Sequence, residues 1–478
     1  MKLMFKTMSK LRRDYTLLIL IVLAGFCFTL VSFYPGFLNL DSVSQLQQAQ
    51  GKVPLTDWHP PGMALLWRLL IFLTGQVSSL LVFQLLVYWL AFGVLAVTIR
   101  KYTGSIKFSL LPMMVAFLPS SIITIGIYWK DVLMAAVLCL VAALLYLGSY
   151  TKKKTKASLV IFIVSTILII YSGNLRHNVL PALIPLAYAA SYNFFSNNRK
   201  TLLATIAIIA LVPISVKTIE SVFNVQRLNG TAGLMIDDLK SILTEEEIMA
   251  SGMAPSTKGY VINLKKTCGE RGVLTNSIYL CEGYRWFSYA SKSDYENIKA
   301  TWISSILDKP WTYIKFRMEV FWRLVTMTIV GGDKISSFNN EDSFNFVFMR
   351  LSKKDIEKIS LGTDNFISKK GILTDYYNIS EQDYGFIFKL YFWLLIGVSL
   401  ISYHIIRLSR VSNTYPALAL IISGFIYVMT YLPASTYHEY RFVYWSVLSF
   451  SIASSIFMAE YYRSKNNLRS VISQDKTR

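Results

Sequence analysis

The chain has 478 residues, 54% of them hydrophobic, with a mean hydropathy of +0.44 and a formal net charge of +20. Several apolar runs reach the roughly 17–22 residues needed to cross a bilayer core of about 30 Å, which excludes an ordinary soluble domain; a transmembrane barrel would instead show short segments of alternating polarity. The positive charge gathers at the ends of the apolar runs, as the positive-inside rule expects, and no recognition motif accompanies it, so nucleic acid is excluded as a partner.

Lys2, Lys6, Lys10, Arg12 and Arg13 precede an apolar run from Tyr15 to Tyr34. The run is long for a signal-peptide core and lacks a small-residue cleavage site, so a retained signal-anchor is expected. Apolar runs and their basic flanks give ten expected spans, at about 15–34, 78–98, 108–128, 131–149, 157–172, 179–195, 201–219, 386–405, 415–433 and 442–462. Basic clusters follow every second one: Arg100-Lys101 with Lys107, Lys152-Lys153-Lys154 with Lys156, Arg199-Lys200, Arg407 with Arg410, and a tail with Arg463, Lys465 and Arg469. The alternation predicts an all-α polytopic protein of a bacterial inner membrane with both termini cytoplasmic.

Three regions follow: a transmembrane module over 1–219, an extracytoplasmic α-rich or mixed domain over 220–385, and C-terminal spans with a cytoplasmic tail over 386–478. Pro61 to Gly75 is too short to span and contains Arg68; it reads as a helix on the outer membrane surface, with Trp58 and Trp67 at headgroup level. Trp311 to Val330 is amphipathic and reads as a second interfacial helix or a dip into the membrane. Cys27 and Cys139 fall inside spans and pack as small apolar residues. Cys268 and Cys281, thirteen apart in the large polar region, form a disulfide if that region is extracytoplasmic and are two free thiols otherwise.

The outward loops hold most of the candidate chemistry. Asp41, Asp57 and His59 lie in the first, Lys130 and Asp131 in the second, Arg176 and His177 in the third, and His438, Glu439 and Arg441 in the last. Charged groups at span ends are costly against lipid and tend to face a cavity. Singly, Lys130 and Arg441 also suit interfacial anchoring, and Asp57–Pro61 also suits a turn that starts the surface helix, since proline fits a first helical turn. Together they read as a polar site at the outer mouth of the bundle. No histidine pair has i,i+4 spacing and no CxxC is present, which speaks against zinc. Gly-x-Ser-x-Gly and the phosphate loop are absent, and the spans carry almost no mid-membrane acid of the kind a proton pathway uses.

Asn39-Leu40-Asp41-Ser42, followed by Asp57-Trp58-His59-Pro60-Pro61-Gly62, resembles the opening of GT-C membrane glycosyltransferases, the class of protein mannosyltransferases and lipid A aminoarabinose transferases. The likeness covers about residues 34–75. In size and layout the chain also resembles transferases that decorate O-antigen. The resemblance implies transfer of a monosaccharide from a polyprenyl-phosphate donor to a cell-envelope glycan or lipid-linked acceptor at the bilayer surface. It implies Asp41 as base or metal-linked carboxylate, which leaves a divalent cation open as a cofactor, and His59-Pro60-Pro61 as the segment beside it. Ser42 stands where many relatives have a second acid, so Asp131 or Asp57 would have to substitute. Asp41 and Asp57 are thus the expected catalytic carboxylates, and His59, Lys130, Asp131, Arg176, His177, His438 and Arg441 the expected substrate-binding groups. The competing readings are a polysaccharide polymerase or ligase, and a non-enzymatic transporter of lipid-linked glycan.

Overall fold

The computed structural model describes residues 2–38, 40–281, 294–326, 380, 382–408 and 413–475. Asn39, Val330 and Arg410 of the sequence expectations lie outside them, as does part of the region 220–385. Among the described residues all regular structure is helical, apart from two isolated bridges, Phe37 with Ile127 and Thr56 with Gln226.

Long apolar helices make this chain consistent with a multi-pass membrane protein, but the expectation of ten spans is overturned. Six described helices are long and apolar enough to cross a bilayer: Leu11–Phe33, Ser79–Thr103, Lys130–Ser149, Lys156–Gly173, Asn198–Val222 and Tyr415–Ala434. A seventh is added if Gln382–Phe388 and Leu390–Ile406, bent by 60°, act as one. The other runs fail for local reasons. Over 108–128 the chain breaks into Ile106–Ser109, Leu111–Phe117 and Pro119–Ile122, with Pro112 and Pro119 each at the start of a new helix. The run 179–195 gives only the 15-residue helix Leu180–Phe194, which runs through Pro185 and ends short of the length a span needs. The last helix, Tyr444–Asp475, is long, but Ser446, Ser449, Ser451, Ser454, Ser455 and Glu460 dilute its apolar character. Apolar length in sequence does not report where backbone hydrogen bonding breaks.

Lys130–Ser149 is the central helix. It is apolar on every side, and 78% of its most apolar window is buried, as expected of a helix enclosed by others. Ala135, Ala136, Ala142 and Ala143 are fully or almost fully covered and let neighbouring backbones approach. Asn198–Val222 lies at the periphery, with 17% of its window buried and Leu203, Ile206 and Ile214 exposed, the pattern of a lipid-facing helix. At one end of the bundle, buried Arg100 pairs with Asp14 at 2.8 Å and Tyr146 donates to buried Glu460 at 2.8 Å.

The opposite end carries the first loop. Helix Leu40–Ala49 begins with Asp41 in its first turn, where a carboxylate suits the helix dipole. Arg68, from helix Gly62–Thr74, donates to the Gln48 and Ala49 carbonyls at 2.7 and 3.1 Å and closes the other end. Ser42 is fully buried and donates to the Tyr128 carbonyl at 2.6 Å. A Cβ on Gly62 would sit 2.4 Å from the Asn174 carbonyl oxygen, so only glycine lets this helix start against the segment leading to Arg176. The headgroup placement of Trp67 is corrected: its ring is fully buried, stacks on Tyr128 with centroids 4.7 Å apart, and donates to the Val77 carbonyl at 2.8 Å. The exposed apolar residues of that helix are Leu69, Phe72 and Leu73.

A second, smaller apolar cluster stands apart from the bundle core. It is built from Ala232, Ile236, Leu239, Ile248, Val261, Leu264 and Ile298, with Cys268 and Cys281 joined as a disulfide at a Cα separation of 5.5 Å. It meets the first loop through a backbone stitch. Gln226 N–H donates to Leu55 at 2.8 Å, Asp57 N–H to Gln226 at 3.0 Å, and Leu228 N–H to the Asp57 carboxylate at 2.7 Å. Trp58 packs over Gly230, where a Cβ would meet the indole at 2.7 Å. Arg317, buried on helix Pro310–Thr326, pairs with Asp238 at 2.6 Å and donates to the Ser435 carbonyl at 2.8 Å, tying the cluster to the loop that carries Arg441.

Candidate functional site

Asp41, His59, Lys130, Arg176, His177 and Arg441 line one cavity of about 610 Å³ between the bundle end and the smaller cluster. Asp131 stands behind it, paired with Arg176 at 2.5 Å and almost fully buried. Groups from four sequence-distant loops thus converge. Asp57 and His438 do not line this cavity. The Asp57 carboxylate accepts the Leu228 amide and caps the stitch, and His438 lines a separate hollow with Arg271 and Arg323.

The polar groups form a chain. Lys130 Nζ lies 2.9 Å from His59 Nδ1, and His59 Nε2 lies 3.5 Å from Asp41 Oδ1. An ammonium only donates, so Nδ1 accepts and the ring proton sits on Nε2, facing the carboxylate. Arg441 Nη1 donates to Asp41 Oδ2 at 2.5 Å, and its Nε meets Glu439. Arg441 also lies over the Trp129 ring, 5.0 Å from its centroid. Arg176 donates to the Tyr431 hydroxyl and to Asn178 Oδ1, both at 3.0 Å, and sits 4.9 Å from the Phe442 ring centroid.

Burial and charge oppose one another here. Burial raises the Asp41 pKa, but Arg441, His59 and Lys130 together hold it well below the usual carboxylate range. Burial, reinforced by Lys130, lowers His59 to about 4 despite the nearby Asp41, so the imidazole is neutral at pH 7. Burial lowers His177 as well, although a hydrogen bond to the Asp57 backbone acts the other way. Burial disfavours charge on Arg176 and Arg441, but Asp131 with Tyr431 and Tyr427 together more than offset it for the first, and Glu439, Asp41 and Asp131 together for the second. The basic side chains Lys130, Arg176 and Arg441 thus stand among the acidic side chains Asp41, Asp131 and Glu439.

Among these acids Asp41 is the one open to a ligand: its side chain is 28% exposed, against 1% for Asp131 and 13% for Glu439. Ser42, in place of a second acid, is closed off by the Tyr128 carbonyl. Among the described residues no three His, Cys, Asp or Glu side chains converge as a metal-ligand set. Around Asp41 the charged neighbours are Arg441 and Lys130, so these residues do not fit a divalent cation. The cavity lining also includes groups not singled out from sequence, among them Tyr431, Asn178 and Asn276. Tyr431 and Asn178 lie in runs whose composition looks like ordinary span ends, and Asn276 lies in the large polar region, so only the fold marks them. Comparison with family profiles, with curated proteins and with solved structures finds no match to this chain.

Proposed function

We propose that this chain is a membrane glycosyltransferase of the GT-C kind. It transfers a monosaccharide from a polyprenyl-phosphate donor to a cell-envelope glycan or lipid-linked acceptor, with the cavity on the outer face of a bacterial inner membrane and both termini cytoplasmic. The observation that carries this reading is the ionised Asp41 carboxylate, set in a cavity beside Arg441, Arg176 and Lys130.

Glycosyl transfer has an oxocarbenium-like transition state. The acceptor oxygen bonds to the anomeric carbon as the carbon–oxygen bond to phosphate breaks, and the phosphate leaves with the bonding pair. Arg441, Arg176 and Lys130 supply fixed positive charge for that leaving group. Asp41 takes the acceptor hydroxyl proton. Paired with Arg441 it is a weak base. A donor phosphate that draws the guanidinium toward itself loosens this pair and raises the basicity of Asp41, so donor binding prepares the base. His59, neutral and held by Lys130, keeps the carboxylate oriented through Nε2–H.

The test is incubation of the purified protein in lipid with labelled polyprenyl-phosphate monosaccharide and envelope acceptors. Appearance of labelled glycan in wild type, and its loss by roughly 10²–10⁴-fold in Asp41→Asn with folding intact, is the expected result. Block transfer of preassembled glycan, or full activity in Asp41→Asn, overturns it.

A further inference from the structure

Helices Tyr295–Asp308 and Pro310–Thr326 present an apolar stripe that is exposed among the described residues. Trp311, Ile314, Met318 and Trp322 are all exposed, Trp311 at 80% and Trp322 at 64%. At about 3.6 residues per turn their i, i+3, i+7, i+11 spacing confines them to one arc of roughly 80°. Ile303 and Leu307, exposed one turn apart on the preceding helix, add to the uncovered apolar surface. The opposite face of Pro310–Thr326 is buried through Phe316, Arg317, Val320 and Leu324.

We infer that this stripe is a membrane-docking surface, seated at the boundary between headgroups and acyl chains. Three observations favour lipid over water or a protein partner. The stripe is continuous with the bundle: Leu324 and Val325, at the end of the same helix, belong to the bundle core, and the helix packs against Leu390–Tyr403, whose Leu395 and Val398 are themselves exposed apolar residues. Its composition is that of an interfacial helix, with a tryptophan near each end and long apolar side chains between them. Lys315, exposed, borders the stripe, where an ammonium reaches phosphate headgroups while its stem lies on the apolar surface. An uncovered run of this size is unfavourable against water. Because Arg317, on the buried face of the same helix, holds Asp238 and the Ser435 carbonyl, docking fixes the height of the cavity above the bilayer.

The test needs no enzymatic activity and is independent of the transferase reading. Met318→Cys and, as a control, Met249→Cys, exposed on helix Glu245–Ala250, are made on a Cys27→Ser background. Each full-length protein is labelled with bimane and placed in phosphatidylglycerol/phosphatidylethanolamine vesicles. At position 318 a blue-shifted emission, loss of fluorescence with nitroxide-bearing lipid and protection from aqueous iodide are expected; at 249 the reverse. Iodide quenching at 318 equal to that at 249 overturns the inference, and so does protection from both quenchers, which would mean a protein partner or a second copy.

Discussion

Arg441 donates to Asp41 at 2.5 Å across 400 residues of sequence, joining the last short loop of the chain to the first. The guanidinium reaches Glu439 with its other edge, so one planar group sets the positions of two carboxylates. Arg441→Lys keeps the charge and loses the fork, and transfer is expected to fall by roughly 10²-fold or more. In Arg441→Gln the strongest influence lowering the Asp41 pKa is gone. The acid limb of the pH dependence of kcat/KM then moves to higher pH. A residual activity with an unmoved limb would show that Asp41 does not titrate in the reaction.

His59 predicts how stability depends on pH. Its folded value of about 4 lies below the unfolded 6.5 because the fold refuses the proton. Stability is therefore complete above pH 6.5 and is lost as pH falls toward 4, by at most about 3 kcal/mol. His438, also lowered to about 4 by burial and by Arg323 and Lys389, adds a second loss with the same sign. Thermal unfolding in detergent between pH 7.5 and 4.5 should show a shallower decline for His59→Gln than for wild type, with the His438 share left. Identical slopes would count against a neutral His59.

The Arg317–Asp238 pair is closed to solvent, and Trp302 also donates to Asp238, at 2.7 Å. Asp238→Ala leaves a buried guanidinium without its partner and should cost about 3–5 kcal/mol. The double variant Asp238→Leu/Arg317→Met should be milder than the sum of its single changes, since both charges are gone. Additive losses in chemical denaturation would mean that the two side chains act separately.

Loss of the Cys268–Cys281 bond, which spans 13 residues of sequence, should lower stability by about 2–4 kcal/mol. The segment it closes delivers Asn276 to the cavity, and the Asn276 and Ser277 amides bond to Asp237. A Cys268→Ser/Cys281→Ser protein should keep its bundle, read by circular dichroism, and lose transfer more than its melting point alone explains. Unchanged transfer would free Asn276 from any part in the site.

Much of the site was legible because charge at span ends is expensive unless it faces a cavity. That rule picked out Asp41, Lys130, Arg176 and Arg441 without any knowledge of their contacts. Asp57 misled because an acid next to a histidine looks the same in sequence whether its carboxylate faces a ligand or the Leu228 amide. Trp67 misled because a tryptophan in a short apolar helix suits a membrane surface as well as the stacking site on Tyr128. Span number misled because apolar length is additive along the chain, whereas Pro112 and Pro119 divide it and helix Leu180–Phe194 stops at 15 residues.

The stitch between residues 55–57 and 226–228 has a kinetic meaning. Its three hydrogen bonds, at roughly 0.5–1.5 kcal/mol each, make the two walls of the cavity one piece. Under the proposed function, a long glycan or lipid-linked ligand slides between fixed walls instead of being grasped by a closing jaw. The entropy of bringing those walls together is lost once, during folding, and not each time a ligand binds.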